Sequence, residues 1–226
     1  MTHATWYVPA VLKKIYQFIL DIVCPPICFS CRGAMHQHDI LCLTCQQELE
    51  TITPKLFDLG SRYILTVYPV SRYTQPLRPL LFAKYRSDQL VIEKLAELIW
   101  QHSALRHIQV DYLVPIPLHW SRMMQRGFNQ SSVIANSLSA LSGIPVSNML
   151  QRVKATQYQV RVEHADRVLN VKDAFECVVD KEMIEGKHIM LVDDSCTTGA
   201  TAIQAAKKLV KYKPAAVSMI VACRAL

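Results

Sequence analysis

The stretch Ile189–Thr201, IMLVDDSCTTGAT, predicts the fold of the larger part of the chain. An apolar strand runs into two acids, and a Thr-Thr-Gly turn then leads into a helix. In a parallel sheet, ligands lie at the carboxyl ends of the strands, where such a turn delivers a helix N-terminus. The N–H groups and the dipole of a helix N-terminus favour an anion, so the stretch indicates a phosphate site.

Strands and helices alternate on both sides of this stretch. The patterns predict strands at Tyr63–Tyr68, Val110–Ile116, His188–Val192 and Val217–Ala222, and helices at Leu90–Leu105, Asn129–Leu141 and Ala200–Lys211. The alternation predicts an α/β domain with a mainly parallel sheet and helices on both faces. Thr51–Ser61 is expected to be an irregular linker, and residues 151–172 a long mobile loop.

The two acids and the turn suit a ligand that contains both a sugar and a phosphate. Asp193 and Asp194 are expected to accept hydrogen bonds from sugar hydroxyls and to help hold Mg²⁺. The TTGAT loop, Thr197–Thr201, is expected to bind the phosphate, with Gly199 allowing close approach of the backbone. A helix cap without a ligand is the alternative. The predicted binding residues are Asp193, Asp194, Ser195, Cys196, Thr197, Thr198, Gly199, Ala200 and Thr201.

Two common nucleotide-binding classes are excluded, because the chain contains neither the Walker P-loop pattern nor a GxGxxG fingerprint.

Five of the eight cysteines lie between residues 24 and 45. Four of them form the pattern C-x2-C-x10-C-x2-C: Cys28, Cys31, Cys42 and Cys45. Two CxxC turns present four thiolates to one tetrahedral ion, which predicts a closed structural Zn²⁺ site. Metal binding would stabilise a module too small for a core of its own. Cys24, His36 and His38 are alternative ligands, and an iron–sulfur cluster is a minor alternative. Gly33 is expected to permit the turn after the first pair.

The basic charge lies in the C-terminal part of the chain. The net charge is +7, yet residues 1–60 hold four basic and five acidic side chains, so the remainder carries +8. Such a domain suits a nucleic acid or a phosphorylated metabolite, although net charge alone is better explained by solubility.

No segment predicts stable membrane insertion. Residues 8–23 are apolar, but Lys13, Lys14 and Asp21 interrupt them, and the run is too short to span a bilayer. It also lacks the features of a secretory signal. Its apolar residues recur at helical spacing, so we expect an amphipathic helix that docks on the protein.

The opening stretch resembles the motif with which type I phosphoribosyltransferases bind phosphoribosyl pyrophosphate (PRPP). The whole chain resembles the ComF family, in particular the ComFC type linked to natural competence. Beside the four cysteines and VDDSCTTGAT, the resemblance rests on KYRSDQL (84–90), VPIPLHWSRMMQRGFNQS (114–131), QRVKATQYQV (151–160) and DRVLNVKDAF (166–175).

The resemblance implies a type I phosphoribosyltransferase fold at residues 61–226, preceded by a helix and a zinc-finger module at residues 1–60. It implies that Arg122 and Arg126 bind the pyrophosphate, a role that suits guanidinium groups. It assigns Lys84 to anion binding and residues 152–172 to a loop that closes over the site. Trp120 could pack or stack on a base.

The resemblance also implies a setting. The protein would act in the cytoplasm and handle single-stranded DNA during natural transformation, with PRPP and Mg²⁺ as ligands. A competence helicase of the ComFA type would be its companion.

The sequence does not decide whether the protein transfers the ribosyl group of PRPP to an acceptor. Some purine-salvage relatives carry an acid where this chain has Thr197, and a threonine is no base near neutral pH. Ser195 and Cys196 are poor bases as well. A binding protein is therefore favoured. The alternatives are an active phosphoribosyltransferase with an unknown acceptor in nucleotide salvage, and a PRPP sensor that regulates a partner.

Overall fold

The computed structural model describes residues 26–35, 39–60, 62–83, 88–154 and 173–225. The helix predicted within residues 8–23 lies outside these ranges.

A five-stranded sheet forms the centre of the described molecule. Its strands are β1 (Lys55–Asp58), β2 (Ile64–Arg72), β3 (Tyr112–Pro115), β6 (His188–Cys196) and β7 (Ala216–Arg224), in the order β1-β2-β7-β6-β3. Strands β2, β7, β6 and β3 run parallel, and β1 is antiparallel to β2. The four predicted strands and the mainly parallel sheet are confirmed.

The longer helices also follow the sequence pattern. The described helices are α1 (Leu43–Gln47), α2 (Arg78–Ala83), α3 (Gln89–His102), α4 (Trp120–Arg126), α5 (Gln130–Ser142) and α6 (Ala200–Leu209). The three predicted helices correspond to α3, α5 and α6, and 3-10 turns extend the first and last of these. Helices α1, α2 and α4 were not predicted, because five to seven residues are too few to show a helical period.

Apolar residues cover both faces of the sheet. Helices α3 and α5 pack on one face, with Leu95, Ile99 and Ile134 among the buried residues. Helix α6 packs on the other face through alanines and Leu209. Burial on both faces is what a parallel sheet requires, so the predicted layers are confirmed.

The cysteine module shares the core of the first face. Cys28, Ile40, Leu41 and Cys45 belong to the same buried cluster as Leu95 and Ile99. The module thus gains apolar burial from the larger domain, which a segment of this size cannot supply alone. The division of the chain at residues 60/61 stays a prediction.

Two local predictions are wrong. Thr51–Ser61 is not an irregular linker throughout, because Lys55–Asp58 forms edge strand β1 and pairs with residues 64–67 of β2. Its sequence KLFD is too short for a visible alternation, so only pairing with β2 specifies it.

The predicted loop at 151–172 does not begin at residue 151. Instead, β4 (Leu150–Arg152) pairs antiparallel with β5 (Phe175–Cys177) in a two-stranded ribbon on the α6 face. Residues 155–172 lie outside the described ranges.

Across the described part of the chain, the search for membrane-spanning helices found none with the necessary length and apolar character.

Candidate functional site

The TTGAT loop connects the carboxyl end of β6 to the first turn of α6. Gly199 is the N-cap residue of α6 and has a left-handed φ of +80°. The N–H of Ala200 donates to Thr198 Oγ1 at 3.3 Å, which holds the turn. An open pocket lies against this loop, lined by Asp193, Ser195, Cys196, Thr197, Thr198, Gly199, Ala200, Thr201, Ala202 and Met219. The predicted strand–loop–helix geometry is present, with the helix N-terminus facing the pocket.

Phe57 of edge strand β1 lies close to the TTGAT loop at Gly199. A Cβ atom added to Gly199 would lie 2.5 Å from Cζ of the Phe57 ring. Gly199 therefore has two independent reasons to be glycine, its φ and this contact. Phe57 was not among the predicted site residues, because its four-residue strand has no pattern of its own.

The two acids lie on opposite faces of β6, as neighbouring strand residues must. Asp193 lines the pocket, and its Oδ1 accepts from Ser131 Oγ at 2.8 Å and from the N–H of Asp194 at 2.9 Å. Asp194 is only 6% exposed and accepts from Ser195 Oγ at 2.8 Å. The structure thus brings Asp193, and not Asp194, to the pocket that the TTGAT loop lines.

Helix α5 positions the hydroxyl that holds Asp193. Asn129 is the N-cap of α5, and its side chain accepts from the N–H of Ser131 at 3.2 Å. Its Nδ2 donates to the carbonyl of Ile116 at 3.0 Å, which ties α5 to the end of β3. Ser131 follows directly in the first turn. This support for Asp193 was not predicted, because it depends on an approach between residues 62 positions apart.

Two guanidinium groups converge near Asp193. Burial and the positive charge of Arg122 lower the pKa of Arg152, whereas the charge of Asp193 raises it. The Arg152 guanidinium carbon also lies 5.3 Å from the centroid of the Phe175 ring. Arg122 and Arg152 therefore share one region with Asp193. Arg152 was predicted only as part of the loop at residues 152–172, since nothing in the local sequence marks it as the last residue of strand β4.

Helix α4 carries both arginines that were predicted to bind pyrophosphate. His119 caps its N-terminus by accepting from the N–H of Ser121 at 3.3 Å. Arg126 Nη1 donates to Gln130 Oε1 at 2.8 Å, and Gly127 ends the helix with a φ of +78°. Arg122 lies toward Arg152, whereas Arg126 is held against the start of α5.

The carboxyl ends of β2 and β7 add further positive charge. Arg72 and Arg224 end these two strands side by side. Arg72 Nε pairs with Glu50 Oε2 at 3.1 Å. We call this side of the sheet, which comprises the strand ends, the TTGAT loop and α4, the carboxyl edge.

Side chains near the loop offer little acid–base chemistry. Burial raises the pKa of the Cys196 thiol to about 11, with a further contribution from Asp193, so Cys196 is a packing residue. Among the described residues that line the pocket, Asp193 alone carries a carboxyl group.

The four predicted metal ligands lie together. The Sγ atoms of Cys28, Cys31, Cys42 and Cys45 are all within 4.8 Å of one another. The N–H of Cys42 donates to Cys28 Sγ at 3.4 Å, and the N–H of Gly33 donates to Cys31 Sγ at 3.5 Å. Such N–H groups stabilise thiolates, and the donor set fits a closed site for a thiophilic metal ion.

The pKa values of the two buried thiols, Cys28 and Cys45, differ because their surroundings differ. Burial raises the pKa of Cys28, but backbone N–H donors led by that of Cys42 outweigh it and lower the pKa to about 6. At Cys45, burial and the neighbouring thiols raise the pKa to about 12.

The turn after the first CxxC pair differs from the prediction. Arg32, not Gly33, has the left-handed backbone, with a φ of +64°. A Cβ added at Gly33 would lie 3.4 Å from Cys31 Sγ, which is ordinary van der Waals contact, so space does not require glycine at this position.

Several predicted residues lie outside the described ranges. They are Lys84, the alternative ligands Cys24, His36 and His38, and residues 155–172. Their roles stay predictions.

Comparison with solved structures gives likenesses to phosphoribosyltransferases. Glutamine PRPP amidotransferase from B. subtilis superimposes with a TM-score of 0.40 at 21% identity, over 57% of this chain and 25% of that chain. An adenine phosphoribosyltransferase also gives 0.40, at 15% identity over 80% and 89%. Values this low carry no argument about function.

Comparison with known sequences is more informative, although no family model matches the chain. Competence protein F of Haemophilus influenzae is 30% identical over 81% of this chain and 90% of its own length. DNA utilization protein YhgH of Salmonella typhimurium is 31% identical over 88% and 91%. Competence protein ComFC of Bacillus subtilis is 28% identical over 85% and 81%. With its α/β sheet, its four clustered cysteines and these relatives along most of its length, the chain belongs to the ComF family of competence proteins.

Proposed function

We propose that this protein binds PRPP, or the phosphate of a nucleotide, at the carboxyl edge and handles single-stranded DNA in the cytoplasm during natural transformation. The observation that carries the proposal is the meeting of three features at the carboxyl edge. They are the pocket at the N-terminus of α6, the Asp193 carboxylate that lines it, and the guanidinium groups of Arg122 and Arg152 in the region of Asp193. An anion bound there would add favourable charge interactions with two neighbouring guanidinium groups.

Each part of the ligand has a proposed partner. The N–H groups and hydroxyls of Thr197–Thr201 bind the ribose phosphate. Asp193, which lines the pocket, accepts hydrogen bonds from the sugar hydroxyls. The assignment of Asp194 to the same hydroxyls stays a prediction. Arg122, Arg126 and Arg152 bind the pyrophosphate, to which Lys84 is assigned by resemblance.

Two metal ions complete the proposal. Mg²⁺ with PRPP would neutralise part of the polyphosphate charge, and the oxygen ligands that it prefers fit the carboxylate of Asp193. Zn²⁺ would occupy the four-cysteine site in a structural role, because four sulfur ligands leave no open position.

The proposed role in handling single-stranded DNA rests on the net charge of the chain and on its similarity to named proteins. Residues 61–226 carry the whole basic excess of the chain, which suits a polyanion. Two of the similar proteins are named for competence and one for DNA utilization. A competence helicase of the ComFA type is the proposed companion.

Titration calorimetry with PRPP and Mg²⁺ tests the binding site. We expect saturable binding to the zinc-loaded wild type. Asp193→Asn should weaken it about 10- to 100-fold, because a hydrogen bond to a charged group is lost in a partly buried site. Asp180→Asn is the matched control, since Asp180 is exposed and its side chain caps nothing. A wild type that does not bind PRPP, or an Asp193→Asn variant that binds as tightly, refutes the proposal.

The alternative is an active phosphoribosyltransferase with an unknown acceptor in nucleotide salvage. It is tested by pyrophosphate release from PRPP over a panel of nucleobases and amines. Release above the blank that disappears in Asp193→Asn would make the protein an enzyme. Rates equal to the blank with every acceptor, beside tight PRPP binding, favour a binding protein or a sensor.

A further inference from the structure

Helix α4 has two chemically different faces. Positions four apart share a helix face and positions two apart do not. Arg122 and Arg126 therefore form one face, and Trp120 and Met124 form another. The arginine face is turned toward the carboxyl edge and is only half-buried, with Arg122 near Arg152 and Arg126 donating to Gln130.

The second face projects apolar side chains into solvent. Among the described residues, four large hydrophobic side chains are 71% to 80% exposed: Leu43, Leu90, Trp120 and Met124. Two of these four belong to the single short helix α4, and Met123 beside them is also exposed. Neighbouring exposed apolar groups of this size indicate an interaction surface, whereas single ones do not.

The base of the Trp120 side chain is held in place. The His119 ring is 7% exposed and lies 5.5 Å from the Trp120 ring, tilted by 43°. His119 Nδ1 is itself fixed by Ser121, whose Oγ lies 2.9 Å away. The indole is thus oriented at one side while most of its surface stays open.

Charge decides which partner fits this surface. Helix α4 contains two arginines and no acid, and it adjoins the end of β3, next to β6 and its TTGAT loop. A purely apolar partner would gain nothing from the arginines. A nucleic-acid strand offers both phosphates for the arginines and flat bases for the indole.

We propose that Trp120 and Met124 form a stacking platform for the bases of single-stranded DNA, whose phosphates contact the arginine face of the same helix. An α-helix with its side chains is about 10–12 Å across, so a short strand can reach both faces. This inference rests on the proposed function, since it requires a DNA ligand. The DNA phosphates share Arg122 and Arg126 with the proposed pyrophosphate site, whereas the bases occupy a separate surface formed by Trp120 and Met124.

The test compares two probes with the same backbone charge. Fluorescence anisotropy of the full-length, zinc-loaded protein is measured with a short 5′-phosphorylated oligothymidylate and with an abasic deoxyribose-phosphate oligomer of equal length. Trp120→Ala should weaken oligothymidylate binding about 5- to 150-fold, the range for loss of one stacked base, and leave the abasic oligomer unaffected. Trp120→Phe should retain most of the affinity, and Met124→Ala should show a smaller loss.

Leu141→Ala is the matched control. Leu141 is exposed, but it lies at the far end of α5, away from the carboxyl edge. It should leave both probes unaffected. Thermal unfolding of Trp120→Ala should match the wild type, because an exposed side chain contributes little to the core.

Three outcomes overturn the platform. In the first, Trp120→Ala binds oligothymidylate like the wild type, which leaves the proposed function intact. In the second, it weakens both oligomers equally, which indicates a backbone or structural effect. In the third, it alters self-association and not DNA binding, which identifies a protein-docking face. A wild type that binds neither oligomer at low salt refutes the DNA role itself, and PRPP titration then reports the phosphate site separately.

Discussion

The carboxyl edge and the opposite side of the parallel sheet, which we call the amino edge because the strands begin there, both contain charged residues but differ in their balance of charge. At the amino edge, Asp111 accepts from the N–H of His188 at 2.8 Å and from Lys187 Nζ at 3.4 Å. His188 Nδ1 donates to the carbonyl of Gln109 at 2.7 Å, so its Nε2 accepts from Ser218 Oγ at 2.9 Å. The polar groups of this edge are matched with one another.

The carboxyl edge has an excess of one sign. In the described chain it collects Arg72, Arg122, Arg126, Arg152 and Arg224 against Glu50, Asp193 and Asp194. Burial and a like charge lower the pKa of Arg152, whereas a backbone N–H lowers the pKa of Asp111. An edge whose charges match supports the fold, whereas an edge with an excess of positive charge favours the proposed anionic ligand.

The largest expected effect is at Gly199. Gly199→Ala should cost about 2–4 kcal/mol of unfolding free energy, because it adds a left-handed backbone penalty to a clash with Phe57. It should also reduce PRPP affinity, since the loop must shift. Urea unfolding and PRPP titration measure the two effects.

Gly143→Ala is the control for the cost of placing alanine in a left-handed backbone conformation without a clash. Gly143 has a φ of +76° but open space around its Cα. If Gly199→Ala costs no more than Gly143→Ala, the contact with Phe57 does not constrain the loop.

Arg152→Met should separate binding from stability. We expect PRPP affinity to fall about 10- to 100-fold through loss of a charge-assisted hydrogen bond. The free energy of unfolding should change by less than about 1 kcal/mol, because a buried charge beside a like charge is removed while its packing is kept. Calorimetric titration and urea unfolding provide the two measurements.

Replacing a cation by methionine at the amino edge should reduce stability and not PRPP affinity, the reverse of what we expect for Arg152→Met. Lys187→Met should lower stability by a few tenths to about 1 kcal/mol and leave PRPP affinity unchanged, since the half-exposed pair with Asp111 is screened. Equal effects of the two variants on affinity would contradict the distinction between the edges.

The smallest effect concerns pH. The backbone N–H of His188 holds the pKa of Asp111 below its ordinary value of 3.8. A depressed folded pKa stabilises the protein above the unfolded pKa, and this stabilisation is lost as the pH falls through the folded value. Asp111→Asn should therefore lower stability near neutral pH and flatten its decline below about pH 4, by less than about 1 kcal/mol.

Unfolding free energies of the wild type and Asp111→Asn, measured from neutral pH to below pH 4, check this expectation. Parallel curves for the two proteins would show that Asp111 does not contribute to the acid dependence.

Prediction from the sequence succeeded where a pattern was long or chemically specific. Helix α5 was predicted because its cap Asn129 and its terminator Gly143 are local signals. The four cysteines were predicted to meet because CxxC turns need only nearby residues. Strand β1 was missed, since four residues with two charges become a strand only by pairing with β2.

The residues around the site were predicted less completely for the same reason. Asp193 and the TTGAT loop stand in one continuous motif. Arg152, Ser131 and Phe57 come from other parts of the chain and carry no motif of their own. No local motif indicates which of the two acids faces the pocket either, because that depends on what covers each face of β6.

By itself, the sequence determined the alternation of strands and helices, the metal-ligand pattern, the anion-favouring helix N-terminus and the resemblance to the ComF family. All of these follow from periodicity and from chemistry between near neighbours. Tertiary structure alone decided which acid faces the pocket, which arginines lie in the region of that acid, and which face of α4 stays exposed. Those features arise from contacts between distant segments, whose geometry exists only once the sheet has brought the ends of its strands together.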